Sequence, residues 1–130
     1  MATLGASLDR VEPGEVAIAL PFAEPLTQQH GFLHAGAAAS VVDSACGYAA
    51  LTLMPPGAAV LSIEFKVNML SPAIGERFLA VGRVRRAGRT LTVCEGELRA
   101  FPAGETGEGT LVALMQGTMM TVADRPGLVD

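Results

Sequence analysis

The stretch Ala35-Gly36-Ala37-Ala38-Ala39-Ser40-Val41-Val42-Asp43-Ser44-Ala45-Cys46-Gly47-Tyr48-Ala49-Ala50-Leu51-Thr52-Leu53 decides the fold. It carries Ala, Val, Leu and Tyr on every side and no proline. Its length of about 19 residues and its alanine content predict a helix rather than a strand. Pro55-Pro56-Gly57 ends it. A helix that is apolar all round is a buried helix, so other parts of the chain must wrap it.

The wrapping is written downstream. Leu61, Ile63, Phe65, Val67 and Met69 alternate with Ser62, Glu64, Lys66 and Asn68, the period of two that a strand requires. Ser71-Pro72-Ala73-Ile74-Gly75 reads as a turn. Residues 77–85 and 90–101 form a hairpin around Arg86-Ala87-Gly88-Arg89, 102–109 is a Gly-rich loop, and 110–122 is a last long strand. Ahead of the helix, 15–21 is a short strand stopped by Pro21 and Pro25. Strands of about ten residues span roughly 33 Å and the helix roughly 28 Å, so one helix matches one curved antiparallel sheet of five to six strands in length. The expected architecture is α+β, a single domain over 1–130 with its core at about 14–123. Residues 1–13 read as a lead-in and 124–130 as a loose tail.

With 130 residues, half of them apolar and 17% charged, the chain is neither disordered nor fibrous. No apolar run is long enough for a membrane span. Nine Lys plus Arg against thirteen Asp plus Glu leave a net charge of −4, without the basic footprint that nucleic acid requires. So apolar a domain of this size is expected to hide surface in a homo-oligomer. Cys46 and Cys94 form no C-x-x-C pair and read as small core hydrophobes. Nothing calls for a metal or a cofactor. The first residues lack the basic start and apolar core of a signal peptide, and the expected location is cytoplasmic.

Asp43 is the one ionisable side chain on the helix apart from Tyr48 and Cys46. A lone carboxylate on an apolar helix is costly to bury, which makes it a candidate for function. The loop Gln28-Gln29-His30-Gly31-Phe32-Leu33-His34 runs straight into the helix start. A helix start offers free N–H groups and the positive end of the dipole, suited to a carbonyl oxygen gaining charge. Gly36 keeps that approach open. His34 reads as a cap that orders the loop, Gln28 as a candidate amide donor, and Ser62 as a polar residue on an otherwise regular strand. No G-x-S-x-G surrounds a serine, so a Ser–His–Asp hydrolase is not indicated.

The run from His34 to Asp43 resembles the HGG-x(6)-D signature of hotdog-fold thioesterases of the PaaI type, and Leu70-Ser71-Pro72-Ala73 and Arg86-Ala87-Gly88-Arg89-Thr90-Leu91 resemble that family's later motifs. The resemblance covers residues 14–123. It implies a hotdog fold and hydrolysis of an acyl-CoA thioester. It assigns Asp43 as general base or nucleophile, the Ala35 N–H as oxyanion donor, Gln28 as its assistant, and Ser62 as the group that orients water or carboxylate. His34 and Gly36 would border the substrate. The family has Gly where this chain has Ala35; the N–H is retained. Of the cations, Arg86 and Arg89 at the hairpin turn are favoured over Arg83 and Arg85 for the coenzyme A phosphates. Leu51, Leu53, Met54 and Phe65 are candidate pocket residues. A hotdog hydratase or dehydratase, and a binding module without turnover, are the rival readings.

Ala35 and Asp43 are eight residues apart, about 12 Å of helix rise, whereas reacting atoms must approach to about 3 Å. The expected site is therefore shared by two antiparallel copies in a two-fold dimer. A dimer of dimers is the expected assembly.

Overall fold

The computed structural model describes residues 1–123, so the tail expected at 124–130 lies outside the described residues. Its elements are β1 (Ser7–Glu12), β2 (Glu15–Pro21), α1 (Ala35–Leu51), β3 (Ala59–Met69), β4 (Arg77–Ala87), β5 (Leu91–Phe101) and β6 (Thr110–Val122). The strands form one antiparallel sheet in the order β1-β2-β4-β5-β6-β3. The helix packs on one face of that sheet, as the expected α+β architecture requires. No helix of the described residues is long and apolar enough to cross a membrane.

Two small residues let the helix approach so closely. A Cβ on Gly82 of β4 would stand 2.4 Å from the backbone of Ala45 and Cys46, and one on Gly96 of β5 would stand 2.4 Å from Val42. The helix thus meets the sheet almost backbone to backbone, through Ala38, Val41, Val42, Ala45, Cys46 and Ala49, all fully buried. Phe78, Ile18, Leu20, Leu98, Met115 and Met119 fill the space around this contact.

Four details correct the sequence reading. The lead-in expected at 1–13 contains β1, joined to β2 through Pro13-Gly14. Gly14 has φ +78, which suits the second central position of a tight turn. Asp9, Arg10 and Glu12, together with a bulge between Leu8 and Arg10, hide the alternation that would have revealed this edge strand. The helix stops at Leu51 instead of Leu53: Thr52 keeps helical angles, but Leu53 N–H and Met54 N–H bond three residues back, to Ala50 O and Leu51 O, both at 3.0 Å. The Thr52 hydroxyl donates to Ala49 O and accepts from Gly14 N–H, both at 2.7 Å. Arg86 and Ala87 belong to β4, so the hairpin turn is shorter than expected. The sheet covers one side of the helix only, which leaves Gly36, Ser40 and Tyr48 exposed.

The alternation of β3 is also broken, and this break positions the site. Ser62 pairs with Met119, but Glu64 pairs with Thr118, so Ile63 is an extra, bulged residue. Strict alternation would put Ser62 on the same face as Glu64, Lys66 and Asn68. Past the bulge the faces exchange. Ser62 shares the helix-facing side with Phe65, Val67 and Met69, and Leu61 falls on the outer side with Glu64.

Candidate active site

The helix start is held by its loop. Thr27 and Leu33 form a bridge, His34 N–H donates to Leu26 O at 2.8 Å, and Leu33 N–H donates to Ala73 O at 3.2 Å. His34 is the N-cap: its Nδ1 accepts the Gly36 N–H at 2.8 Å. A Cβ on Gly36 would stand 3.0 Å from that ring nitrogen, so a larger residue would press on the cap. The neutral ring then carries its proton on Nε2. With the Gly36 amide taken, the Ala35 N–H has no acceptor among the described residues. The Gln28 side-chain oxygen accepts from His30 N–H, which leaves its NH₂ group free to donate. Gln28 and Ala35 line one pocket of about 390 Å³, together with Leu33, Met69, Leu70 and Ala73.

Asp43 stands elsewhere on the helix, half-buried, facing β3. Ser62 Oγ donates to its Oδ1 at 2.6 Å and lies 3.2 Å from the sulfur of buried Met119. These two residues line a separate cleft of about 320 Å³ with Ser44, Gly47, Tyr48 and Val60. Ser44 and Tyr48 were not singled out from the sequence, because they read there as ordinary members of an apolar helix. Ser44 and Tyr48 are four positions apart and so share one helix face, but that this face borders the Asp43 cleft follows from which side of the helix the sheet leaves open.

One chain therefore brings Asp43 to Ser62, and Gln28 to Ala35, but does not bring the two pairs together. The half holding Gln28 and Ala35 is near the end of β3, at Met69; the half holding Asp43 is near its start, at Ser62.

The four arginines divide. Arg83 is paired with Glu15 at 2.7 Å and Glu97 at 3.3 Å, and Arg85 with Glu95 at 2.5 Å, all on the sheet's outer side. Arg86 and Arg89 are exposed and form no ion pair among the described residues. Leu91 pairs with Met120, and Met120 with Leu61, so the hairpin tip lies at the same end of the sheet as Ser62.

The candidate pocket residues scatter. Leu51 lines a groove with Leu8, Val11 and Tyr48. Leu53 packs near Gly14, Met54 packs against the core, and Phe65 lies on the helix-facing side of the β3 edge. Both cysteines are free and buried; burial pushes the Cys94 thiol up to about 11 and the Cys46 thiol further still, as suits small hydrophobes.

A long helix packed in a six-stranded antiparallel sheet, with a helix carboxylate and an open helix start, is the hotdog class of protein. The chain belongs to the thioesterase superfamily, whose family model matches residues 30–106. It is 33% identical over 129 residues to a Halobacterium salinarum protein named, provisionally, as an esterase, an alignment covering 95% of this chain and 85% of that one. A crystal structure of a thioesterase family protein from Silicibacter pomeroyi is 50% identical, with a TM-score of 0.89 over 100% of this chain and 89% of the other. The E. coli PaaI protein from the phenylacetic acid degradation operon shares the fold, at 20% identity and a TM-score of 0.81 over 93% and 82% of the two chains.

Proposed function

We propose that this protein is a PaaI-type acyl-CoA thioesterase, which hydrolyses the thioester to free acid and coenzyme A at sites shared between two antiparallel copies. The carrying observation is the division of the chain into two half-sites, an Asp43–Ser62 pair and an Ala35 N–H beside Gln28, at opposite ends of β3.

β3 is an edge strand, with β6 as its one neighbouring strand among the described residues, and Ile63, Phe65 and Met69 on it are 41–48% exposed. Such an edge is a template for another strand. Two copies joined there by a two-fold axis set the start of one β3 beside the end of the other. Asp43 of one protomer then faces the partner's Ala35. In that frame Ala35 N–H and the Gln28 amide receive the thioester oxygen as it gains charge. Asp43, held by Ser62, activates water or attacks the carbonyl carbon itself. The thiolate of coenzyme A leaves, and its phosphates lie against Arg86 and Arg89. The reaction needs no cofactor and takes place where acyl-CoA is found, in the cytoplasm.

The test is thiol release from a panel of acyl-CoA substrates by the wild type and by Asp43→Asn. The expected outcome is turnover by the wild type and a fall in kcat of about a hundredfold or more in the variant. Near-equal rates, or tight binding without turnover in the wild type, would contradict the reading.

A further inference from the structure

Beyond the pocket at the helix start lies a second cavity, of about 520 Å³. Ala73, a small residue, lines both, so the two adjoin there. The walls of the second are Phe22, Ile74, Pro102 and Ala103 with two glycines, and Glu76 is the one charged residue that lines it. Phe22 is 43% exposed and Ile74 59%, and Leu70, in the first pocket, is 51% exposed. Each pocket has the size of ordinary ligand sites, which are mostly apolar with a few polar groups. The cleft around Asp43 has the opposite character: Ser44, Tyr48 and Ser62 bring hydroxyls to it.

A thioester has two arms on its carbonyl carbon. With the carbonyl oxygen at Ala35 N–H, one arm leads to the polar side, where the partner protomer brings Asp43 and the exposed Arg86 and Arg89. The other stays with the apolar side. A nucleotide-bearing arm fits the first and an alkyl arm the second. Resting on the proposed function, we infer that the acyl group runs past Leu70 and Ala73 into the Phe22–Ile74 cavity, so that the preferred substrates are medium-chain, uncharged fatty acyl thioesters. The Glu76 carboxylate bordering that cavity repels an acyl chain that ends in a carboxylate.

The experiment measures kcat/KM by thiol release for acetyl-, butyryl-, hexanoyl-, octanoyl- and decanoyl-CoA, and for adipyl-CoA against hexanoyl-CoA. The value should rise about fourfold per methylene, the figure for burying one CH₂, until the cavity is full. Adipyl-CoA should fall about tenfold or more below hexanoyl-CoA, a gap that Glu76→Gln narrows. Ile74→Asp should cut the ratio of decanoyl to acetyl turnover by about tenfold or more. Val11→Asp, in the other apolar groove of about 250 Å³, should leave that ratio as it is. A flat chain-length profile, or a ratio that collapses with Val11→Asp and not with Ile74→Asp, overturns the inference. Calorimetric binding of the same series to Asp43→Asn reads the cavity without turnover. Affinity that grows with chain length and is lost in Ile74→Asp, with no hydrolysis by the wild type, removes the hydrolase reading and keeps the cavity; hydrolysis with flat binding does the reverse.

Discussion

Ser62 Oγ donates a 2.6 Å hydrogen bond to Asp43 Oδ1, joining strand β3 to the helix 19 residues before it. The bond exists because β3 bulges at Ile63, which turns Ser62 from the outer face of the sheet to the helix-facing one. A hydroxyl has one proton to donate, and the carboxylate at 2.6 Å is a stronger acceptor than the Met119 thioether at 3.2 Å.

Removing that donor tests its part in the chemistry. A hydrogen bond to a charged group contributes about 1.5–3 kcal/mol. Ser62→Ala should therefore lower kcat by roughly ten- to a hundredfold if the bond is fully kept in the transition state, less than Asp43→Asn, with a melting temperature lowered by no more than the loss of that one bond at a partly exposed site predicts. Steady-state kinetics beside a thermal melt decide it; full activity in Ser62→Ala would show that the bond plays no part in turnover.

Arg86 and Arg89, at the tip of the hairpin, have no carboxylate partner among the described residues. Their double replacement by Ala should raise KM for acyl-CoA about tenfold and leave an acyl-pantetheine substrate, which lacks the nucleotide phosphates, little changed. Equal loss on both substrates would assign the pair to folding.

The close approach of helix and sheet makes its own demand. A methyl group at Gly82 would stand 2.4 Å from helix backbone atoms, which no side-chain rotation relieves. Gly82→Ala should cost about 3 kcal/mol or more, the upper end for overpacked cores. A denaturant melt checks this, and a loss below about 1 kcal/mol would mean that the helix can lift without penalty.

On the outer face, burial opposes the ionisation of Glu15, but the guanidinium groups of Arg83 and Arg10 outweigh it and hold the carboxyl below its ordinary 4.5. A depressed folded-state pKa gives stability that is present above the unfolded value and lost as pH falls through the folded one. The melting-temperature gap between wild type and Glu15→Gln should thus be constant from neutral pH to about 5 and close on further acidification. A gap that widens in acid would contradict the pairing.

The helix was legible because nineteen residues without proline and with an apolar residue on every face admit little else, and β3 because its period of two is unbroken in the sequence. The same regularity concealed the bulge. A bulge is set by pairing with β6, and Met119 and Thr118 lie more than fifty residues away. Asp43 stood out as a carboxylate among apolar neighbours, and His34 was recognisable as a cap from its place before the helix. Tyr48 and Ser44 were not, since their role follows from which side of the helix the sheet leaves open. β1 was lost to its charges and its own bulge. The cavity at Phe22 and Ile74 joins segments from 22 to 103 in one space, which no local pattern encodes.

The claim at the centre is that each site takes Asp43 from one chain and the Ala35 N–H from the other, and complementation tests it most directly. Ala35 is the first helical residue, and His34 before it has ψ 139, the extended conformation that precedes proline readily. Ala35→Pro should therefore delete the donor with the fold intact, and Asp43→Asn deletes the carboxylate; each variant alone should be nearly inactive. Unfolded together and refolded, half of the dimers are hybrids with one doubly defective site and one intact site, and activity should return to about a quarter of wild type. A mixture as inactive as its parents, with hybrid dimers verified by mass, would show that the site is not shared between chains.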